Sequence, residues 1–199
     1  MKTSMPDATR SLGLVSAGLK AAARAHEGMV GAADAIVVAA DAVRGALGAE
    51  GRVLACGNGG SAADAQHFVA ELVGRFVKER RALPAIALTT DTSILTAIGN
   101  DYGFDRVFAR QIEALGRAGD VLLGITTSGQ SANVLRAFEV ADARGLTTIA
   151  LTGRDGGAAG QMAKVHVNVP EMVTARIQEV HMTVLHLICE LVEEGLEEL

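Results

Sequence analysis

The amino-acid sequence predicts an α/β fold, a three-layer sandwich in which a five-stranded parallel sheet is flanked by helices. Short, mostly continuous apolar runs are separated by stretches with helical spacing, as expected for strands covered on both faces. Loops rich in glycine or in hydroxyl side chains follow two of these runs, just before a helix. Because ligands bind outside the carboxyl ends of strands in such sheets, these two loops mark the expected site.

Two helices are expected before the sheet. Residues 8–47 are rich in alanine, and their helical pattern breaks near Gly28 and Gly31. The sheet is expected to begin at residues 52–56, where a short apolar run leads into a glycine-rich loop. A helical pattern follows over residues 62–76.

The rest of the chain continues this alternation to its end. In order, we expect a strand at 85–89, a helix at 93–98, a turn at 99–103, a helix at 104–115, a strand at 120–125, a helix at 132–144, a strand at 147–151, a loop or short interrupted helix at 153–160, a strand at 165–169 and a helix from 174 to the C-terminus. The prediction is one domain, with N-terminal helices over 1–50 and the parallel α/β core and C-terminal helix over 51–199.

The composition excludes several classes of protein. With 49% hydrophobic and 21% charged residues, the chain is neither disordered nor of low complexity. A net charge of −5 and 3% aromatic residues argue against a nucleic-acid partner. Cys56 and Cys189 lie in apolar contexts and are expected to be buried free thiols in a reducing compartment. With no run of about 18 apolar residues, we expect a soluble cytoplasmic protein and no membrane partner.

The loop after the first strand, residues 57–61, reads Gly-Asn-Gly-Gly-Ser. Its glycines allow backbone N–H groups to converge on an anion, and the helix N-terminus behind it adds a favourable partial charge. Ser61 is placed to cap that helix and to donate to a ligand oxygen. A tight turn with a capping serine is the simpler alternative. A dinucleotide fingerprint fits poorly, because the next strand ends near Asp91, too far from Gly57.

The loop after the third strand, residues 126–131, reads Thr-Thr-Ser-Gly-Gln-Ser and is called the phosphate loop below. Its hydroxyls and the N–H groups of a helix start can satisfy the oxygens of a phosphate monoester without a lysine. The lack of a P-loop lysine disfavours nucleoside triphosphate chemistry. An ordinary serine- and threonine-rich turn is the alternative. The hydroxyl-bearing residues are Thr126, Thr127, Ser128 and Ser131.

Two predicted helices carry side chains suited to acid/base or metal chemistry. His67 and Glu71 are four residues apart and share one helix face, although such a pair is often an ordinary surface pair. On the last helix, Gln178 and His186 are eight residues apart and can point into one cleft. His181 and His186 point in different directions. The spacing alone does not decide which histidine belongs with Gln178.

Residues 120–131 resemble the phosphosugar-binding signature of the SIS (sugar isomerase) domain. Together with residues 56–61, 99–103 and 176–181, they make nearly the whole chain resemble the phosphoheptose isomerase family. The resemblance implies a flavodoxin-like SIS fold and a homotetramer with sites built between subunits. It also implies interconversion of sedoheptulose 7-phosphate and D-glycero-D-manno-heptose 7-phosphate, the first step of ADP-heptose precursor biosynthesis.

The resemblance also assigns roles to residues. It implies that one Zn²⁺ per subunit is held by His67, Glu71, Gln178 and His186. Glu71 and His186 are then the catalytic pair, with His186 as the base, while His181 is structural. His26 and His166 are expected to be a surface helix residue and a strand residue rather than ligands. The implied substrate contacts are Asn58, Gly59, Gly60, Ser61, Glu71, Asn100, Asp101, Thr126, Thr127, Ser128, Ser131 and Gln178.

Two other functions compete with this isomerase. One is a non-catalytic SIS protein that binds other proteins to regulate replication initiation; it would not need His67, Glu71, Gln178 and His186, all of which are present. The other is an SIS isomerase or sensor for a different sugar phosphate. Asn100 and Asp101 have their own alternative, which is turn formation before Gly103.

Overall fold

The computed structural model describes residues 8–195, which form a five-stranded, all-parallel sheet between two layers of helices. The helices are α1 Ala8–Glu27, α2 Ala33–Gly48, α3 Gly60–Val73, α4 Thr92–Tyr102, α5 Ala109–Leu115, α6 Ala132–Ala143, α7 Gly157–Met162 and α8 Thr174–Gly195. The strands are β1 Val53–Gly57, β2 Ala85–Ala87, β3 Val121–Thr126, β4 Thr147–Gly153 and β5 Val165–Val169. The end of the last helix predicted at 196–199 lies outside the described residues.

The strand order is β2-β1-β3-β4-β5, which confirms the predicted flavodoxin-like α/β fold. Alternate residues of each central strand face opposite layers. Val53 and Leu123 belong to the core between the sheet and α2, α3 and α8. Leu54 and Leu122 belong to the core beneath α5 and α6. These strands are buried on both faces, which is why their sequences are continuously apolar.

The strand register brings the two predicted anion-binding loops to the same edge of the sheet. Gly57 at the end of β1 lies opposite Ile125 of β3, and Thr126 lies opposite Thr152 of β4. The first loop and the phosphate loop therefore emerge side by side. Their helices, α3 and α6, leave from opposite faces of the sheet.

The structure corrects the predicted turn at residues 99–103. Asp91 caps the N-terminus of α4 by accepting a hydrogen bond from the Ile94 backbone N–H at 2.9 Å. The helix continues through Gly99 to Tyr102 and ends at Gly103, whose φ is +92°. A single internal glycine weakens a helix by about 1 kcal/mol and does not by itself end it. A glycine in the left-handed region does end it.

Other boundaries also differ from the prediction. The helix expected at 62–76 is α3, which starts at Gly60 and ends at Val73, so Phe76 lies beyond it. The helix expected at 104–115 begins as a 3₁₀ turn over Phe104–Arg106 and becomes α5 at Ala109. No helix within residues 8–195 has the length and apolar character needed to cross a bilayer.

The predicted break between the N-terminal helices is confirmed, because α1 ends at Glu27 and α2 begins at Ala33. Helix α2 packs along α8 and contributes Ile36 and Val43 to the core. Helix α1 is different, since Ala25 is the only buried residue of its described 20. It therefore exposes apolar side chains, among them Leu12, Leu14, Val15 and Leu19.

Candidate active site

The first loop has a backbone shape that depends on its glycines. Gly59 has a φ of +55° and is the N-terminal cap residue of α3. Gly60 lies against the side-chain amide of Gln178, whose Cδ would be 2.8 Å from a Cβ at this position. Ser61 is buried in the first turn of α3 and makes no capping hydrogen bond, so its predicted capping role is wrong. Gly59 is the N-cap residue instead, and its positive φ is a conformation that glycine adopts easily.

Asn58 links the first loop to the helix behind the phosphate loop. Its amide makes two hydrogen bonds with the amide of Asn133 on α6, at 2.9 and 2.8 Å. Asn133 is buried, so this pair keeps the two loops in a fixed relation. The sequence analysis missed Asn133. Its position in the first turn of the helix after the phosphate loop was the available signal.

The phosphate loop is held together by its own hydroxyls. Thr126 Oγ1 lies 2.9 Å from Ser131 Oγ and 3.4 Å from Ser128 Oγ. Ser128 Oγ also accepts a hydrogen bond from the Gln130 backbone N–H at 3.1 Å. Because Thr126 is buried, its hydroxyl orients the loop, whereas Thr127, Ser128 and Ser131 are only partly buried.

A cavity of about 330 Å³ lies between the two loops and the start of α8. A small polar ligand fits such a volume. Thr174 and Gln178, one turn apart on α8, form the wall opposite the loops. Ile125 and Thr174 were not predicted, although the four-residue spacing of Thr174 and Gln178 places them on one helix face. The lining residues are Asn58, Gly59, Gly60, Ser61, Ile125, Thr126, Thr127, Ser131, Thr174 and Gln178.

A second group of side chains, called the His/Glu cluster here, consists of His67, Glu71 and His186. His67 Nε2 lies 3.1 Å from His186 Nε2 and 3.2 Å from Glu71 Oε1. Spacing alone did not decide between His181 and His186. The structure shows that His186 is the histidine that meets His67. The His67 side chain is 44% exposed and that of Glu71 is 24% exposed, so the cluster opens to the surface.

The His/Glu cluster has the donor atoms and the spacing that a zinc ion requires. One ligand atom from each residue lies within 4.8 Å of the other two. Nitrogen ligands about 2.0–2.1 Å from a tetrahedral ion are roughly 3.3 Å apart, close to the separation seen between His67 and His186. Gln178, the fourth predicted ligand, lies against Gly60 in the cavity wall.

The cavity and the His/Glu cluster lie along the same two helices. Gln178 contacts Gly60 near the start of α3, and His186 meets His67 further along, so α3 and α8 run in the same direction. Six residues separate Ser61 from His67, which is about 9 Å of helix. Eight residues separate Gln178 from His186, which is about 12 Å. These distances refer to the helix axes, so one substrate, or the long Gln178 side chain, can connect the two places.

A buried ion pair fastens α3 to α8 near the cluster. Glu193 accepts hydrogen bonds from the backbone N–H groups of residues 76–78 and from Arg80 Nε. Arg80 in turn donates to the carbonyl oxygen of Glu71 at 2.6 Å. Burial raises the pKa of Glu193, but these donors outweigh it and hold the pKa below its ordinary value. Phe76, beyond the end of α3, packs its ring against His186.

Two buried ionisable residues lie on the same helices. Burial raises the pKa of Asp64, one turn before His67, to about 6, although His67 opposes the shift. His181 is fully buried and hydrogen-bonds through Nε2 to the Thr152 carbonyl oxygen. Burial lowers its pKa to about 4, despite that hydrogen bond. His181 thus lies under the sheet edge as a neutral residue, apart from the His/Glu cluster.

Several predicted residues lie away from these features. Asn100 and Asp101 are exposed on the last turn of α4, hydrogen-bonded to each other, and do not line the cavity. His26 is on α1 and bonds to Thr183 of α8 at 2.9 Å. His166 is on β5 and bonds to Thr152 at 2.7 Å. Their positions on a helix and on a strand agree with the prediction for both histidines.

Comparison with known proteins identifies relatives across most of the chain. A family model described as "SIS domain" matches residues 19–153. The phosphoheptose isomerase of Citrifermentans bemidjiense is 61% identical over 162 residues, which cover 81% of this chain and 84% of that protein. The phosphoheptose isomerase structure from Neisseria gonorrhoeae has a TM-score of 0.83 at 50% identity, covering 94% of this chain and 98% of that one. The structure from Francisella tularensis has a TM-score of 0.89 at 42% identity, covering 92% and 98%.

Proposed function

Because the chain belongs to the phosphoheptose isomerase family of SIS-domain proteins, we propose that it interconverts sedoheptulose 7-phosphate and D-glycero-D-manno-heptose 7-phosphate. The observation that carries this proposal is that the cavity beside the phosphate loop and the His/Glu cluster are separate places along the same two helices, α3 and α8. A seven-carbon sugar phosphate has its phosphate at one end and its reacting carbons at the other. Its two ends therefore suit these two places.

The cavity is assigned to the phosphate end. The side chains of Thr127, Ser128 and Ser131 and the N–H groups at the start of α6 would donate to the phosphate oxygens. Thr126 holds the loop in shape through Ser131. Asn58 is occupied by Asn133, so residues 58–61 would contact the sugar mainly through backbone N–H groups and Ser61.

The His/Glu cluster is assigned to the reacting carbons. In the ketose-to-aldose direction, His186 removes a proton from C1 and electron density moves to O2, which leaves an enediol. A proton is then returned to C2, while Glu71 carries the proton exchanged between O1 and O2. Gln178, in the cavity wall, would orient the oxygens of the substrate. The carbon framework and the number of protons are unchanged at the end of the cycle.

We further propose that His67, Glu71 and His186, with Gln178 as a fourth ligand, hold one Zn²⁺ per subunit. The near-tetrahedral spacing of the histidine nitrogens supports this. When bound, the ion would polarise the carbonyl group and stabilise negative charge on the oxygens. Loss of His67 would then remove a ligand without removing either proton-transfer residue.

We propose that the enzyme is a homotetramer with active sites near subunit contacts. A helix with one buried residue, as in α1, gains little stability from its own chain and needs a partner for its apolar face. Val37 and Val38 on α2 and Leu187 on α8 are further exposed apolar side chains. The open His/Glu cluster would be closed by a neighbouring subunit, which is also where exposed Asn100 and Asp101 would contribute. Light scattering after gel filtration measures the assembly.

We propose a cytoplasmic location from the cysteines. Cys56 and Cys189 are both free and buried, and burial raises the pKa of each thiol to about 12. Such thiols are unreactive and are typical of a reducing compartment. Fractionation of the producing cells, with blotting for this chain, tests the location.

The decisive experiment is NMR of the purified protein with sedoheptulose 7-phosphate in D₂O, with added zinc and with chelator. We expect the aldoheptose 7-phosphate to form with deuterium at C2, because the transferred proton exchanges with solvent in the enediol. Glu71→Gln is the matched inactive control. Conversion in zinc but not in chelator supports the zinc assignment. Neither conversion nor exchange in either sample contradicts the isomerase and favours the protein-binding regulator.

A further inference from the structure

The phosphate loop rests on a glycine-rich segment that the proposed chemistry does not use. Gly129, at the turn of the loop, has a φ of +65° and its Cα faces the backbone of Gly156 and Gly157. A Cβ on Gly129 would lie 2.5 Å from the Gly156 carbonyl carbon and 2.8 Å from Gly157 Cα. The Ala159 backbone N–H also donates to the Gly129 carbonyl oxygen at 3.0 Å. Residues 156–159 therefore form the floor of the phosphate loop.

The floor in turn rests on the imidazole of His166. A Cβ on Gly156 would lie 2.5 Å from His166 Cε1, and a Cβ on Gly160 would lie 2.6 Å from His166 Nε2. These distances are too short for real atoms, so the ring fills all the space beneath both glycines. The position of His166 consequently limits how far the glycine-rich segment can move away from the phosphate loop.

A hydrogen-bond network that starts at the buried Thr152 fixes the half-buried His166 ring. The Thr152 hydroxyl donates to Asn168 Oδ1 at 2.8 Å, which uses its one proton. His166 Nε2–H must therefore donate to Thr152 Oγ1, at 2.7 Å. Asn168 donates onward to the Arg154 carbonyl oxygen at 3.0 Å, at the start of the glycine-rich segment. Thr152 is fully buried and lies beside Thr126 in the sheet, so the network is anchored next to the phosphate loop.

We propose that His166 is a positioning residue for phosphate binding, which acts on the phosphate loop through Gly156, Gly160 and Gly129 without touching the substrate. This inference rests on the proposed assignment of residues 126–131 to phosphate. Because the hydroxyl and N–H donors of the loop must converge on one anion, a small displacement of the floor weakens several hydrogen bonds together. We expect no effect at the reacting end of the sugar, which is assigned to the His/Glu cluster on α3 and α8.

The test is a double-mutant cycle between Gly160 and His166. Gly160 lies inside α7 and does not have a positive φ, so alanine suits its backbone, and the three atoms nearest to the new methyl group all belong to the His166 ring. For Gly160→Ala we expect inorganic phosphate to bind about tenfold more weakly by calorimetry, and for His166→Ala several-fold more weakly. In the double variant the new methyl group occupies the space of the ring. We expect its phosphate affinity to return to within about threefold of the parent protein.

Turnover and two further variants separate positioning from general packing. KM for sedoheptulose 7-phosphate is expected to rise with phosphate Kd while kcat stays within about twofold, and unphosphorylated sedoheptulose is expected to show no change in kcat/KM. His166→Gln keeps a donor for Thr152 and is expected to restore part of the affinity lost in His166→Ala. Gly45→Ala, in α2 with open space around it, is the matched glycine control and should change nothing.

The outcomes distinguish this inference from the proposed function. Ser131→Ala serves as the reference for the phosphate loop itself. If Ser131→Ala weakens phosphate binding but the Gly160 and His166 effects simply add, His166 is a packing residue and the inference is wrong. If Ser131→Ala has no effect, the phosphate site is misplaced and the inference falls with it. A third result is that phosphate affinity falls in both single variants and returns in the double variant, while no variant shows isomerase activity. This result supports the inference and contradicts the proposed reaction.

Discussion

The cavity beside the phosphate loop and the His/Glu cluster are built in different ways. The cavity is made largely of loop backbone and short hydroxyl side chains, and buried residues such as Thr126 and Asn133 hold it in shape. The cluster is made of three long side chains from two helices, and it opens to the surface. This difference suits the proposed roles, because a site that binds a fixed anion benefits from rigidity, whereas a site that moves protons must admit and release the reacting end of the substrate.

Removing a proton-transfer group from the cluster should have the largest effect. For Glu71→Gln and His186→Gln we expect kcat to fall roughly 10²–10⁴-fold, because a positioned acid or base contributes about that much. KM should change little, since the phosphate cavity is intact. Steady-state rates on sedoheptulose 7-phosphate measure this, with the exposed α8 substitution Glu190→Gln as control. Retention of more than a third of kcat would place the chemistry elsewhere.

Metal binding should depend on the His/Glu cluster and not on a histidine elsewhere in the protein. For His67→Ala we expect zinc affinity to fall by more than the roughly 10–100-fold that loss of an outer hydrogen-bond partner costs, because a direct ligand is lost. Competition against a fluorescent zinc chelator measures the change. His26→Ala, a histidine on α1, is the control. Equal zinc affinity in all three proteins would show that the cluster is an acid/base group without a metal.

The phosphate loop should show the opposite kinetic pattern. For Ser131→Ala we expect KM to rise about tenfold or more, since a hydrogen bond to a charged group contributes about 1.5–3 kcal/mol. The effect on kcat should be small, because the reacting carbons lie at the far end of the substrate. Ser93→Ala, an exposed serine of α4, is the control. A fall in kcat with constant KM would reverse the assignment of the two regions.

The smallest expected effect concerns His181, in the buried region beneath the cavity. Between pH 6.5 and about 4 the unfolded chain binds a proton at this residue that the folded protein does not, so stability falls as pH falls. From neutral pH to about pH 5.5 we expect His181→Gln to lose roughly 1 kcal/mol less stability than the parent protein. Urea unfolding at several pH values measures it. Asp64, with a raised pKa, has the opposite pH dependence but is common to both proteins. If the free energy of unfolding changes with pH in the same way in His181→Gln and in the parent protein, burial does not lower the pKa of His181.

The sequence and the structure agree best where a structural feature is built from one contiguous segment. Residues 57–61 and the phosphate loop could be identified because each has its strand, turn and helix start side by side in the chain. Agreement was poorer at element ends, as at Ser61 and at the predicted turn around Asn100. There, single backbone angles at Gly59 and Gly103 decide where a helix starts and stops. Such angles have no periodic signal in the sequence.

The sequence by itself determined the fold class and the alternation of strands with helices, because strands buried on both faces require apolar runs. It also determined the two loops, because tight anion-binding loops require glycine and small hydroxyl side chains. Tertiary structure alone decided which histidine meets His67 and that Asn58 pairs with Asn133. It also decided that His166 lies beneath Gly156 and Gly160. These contacts join residues distant in the chain, so they depend on how α3, α6 and α8 pack on the sheet rather than on local spacing.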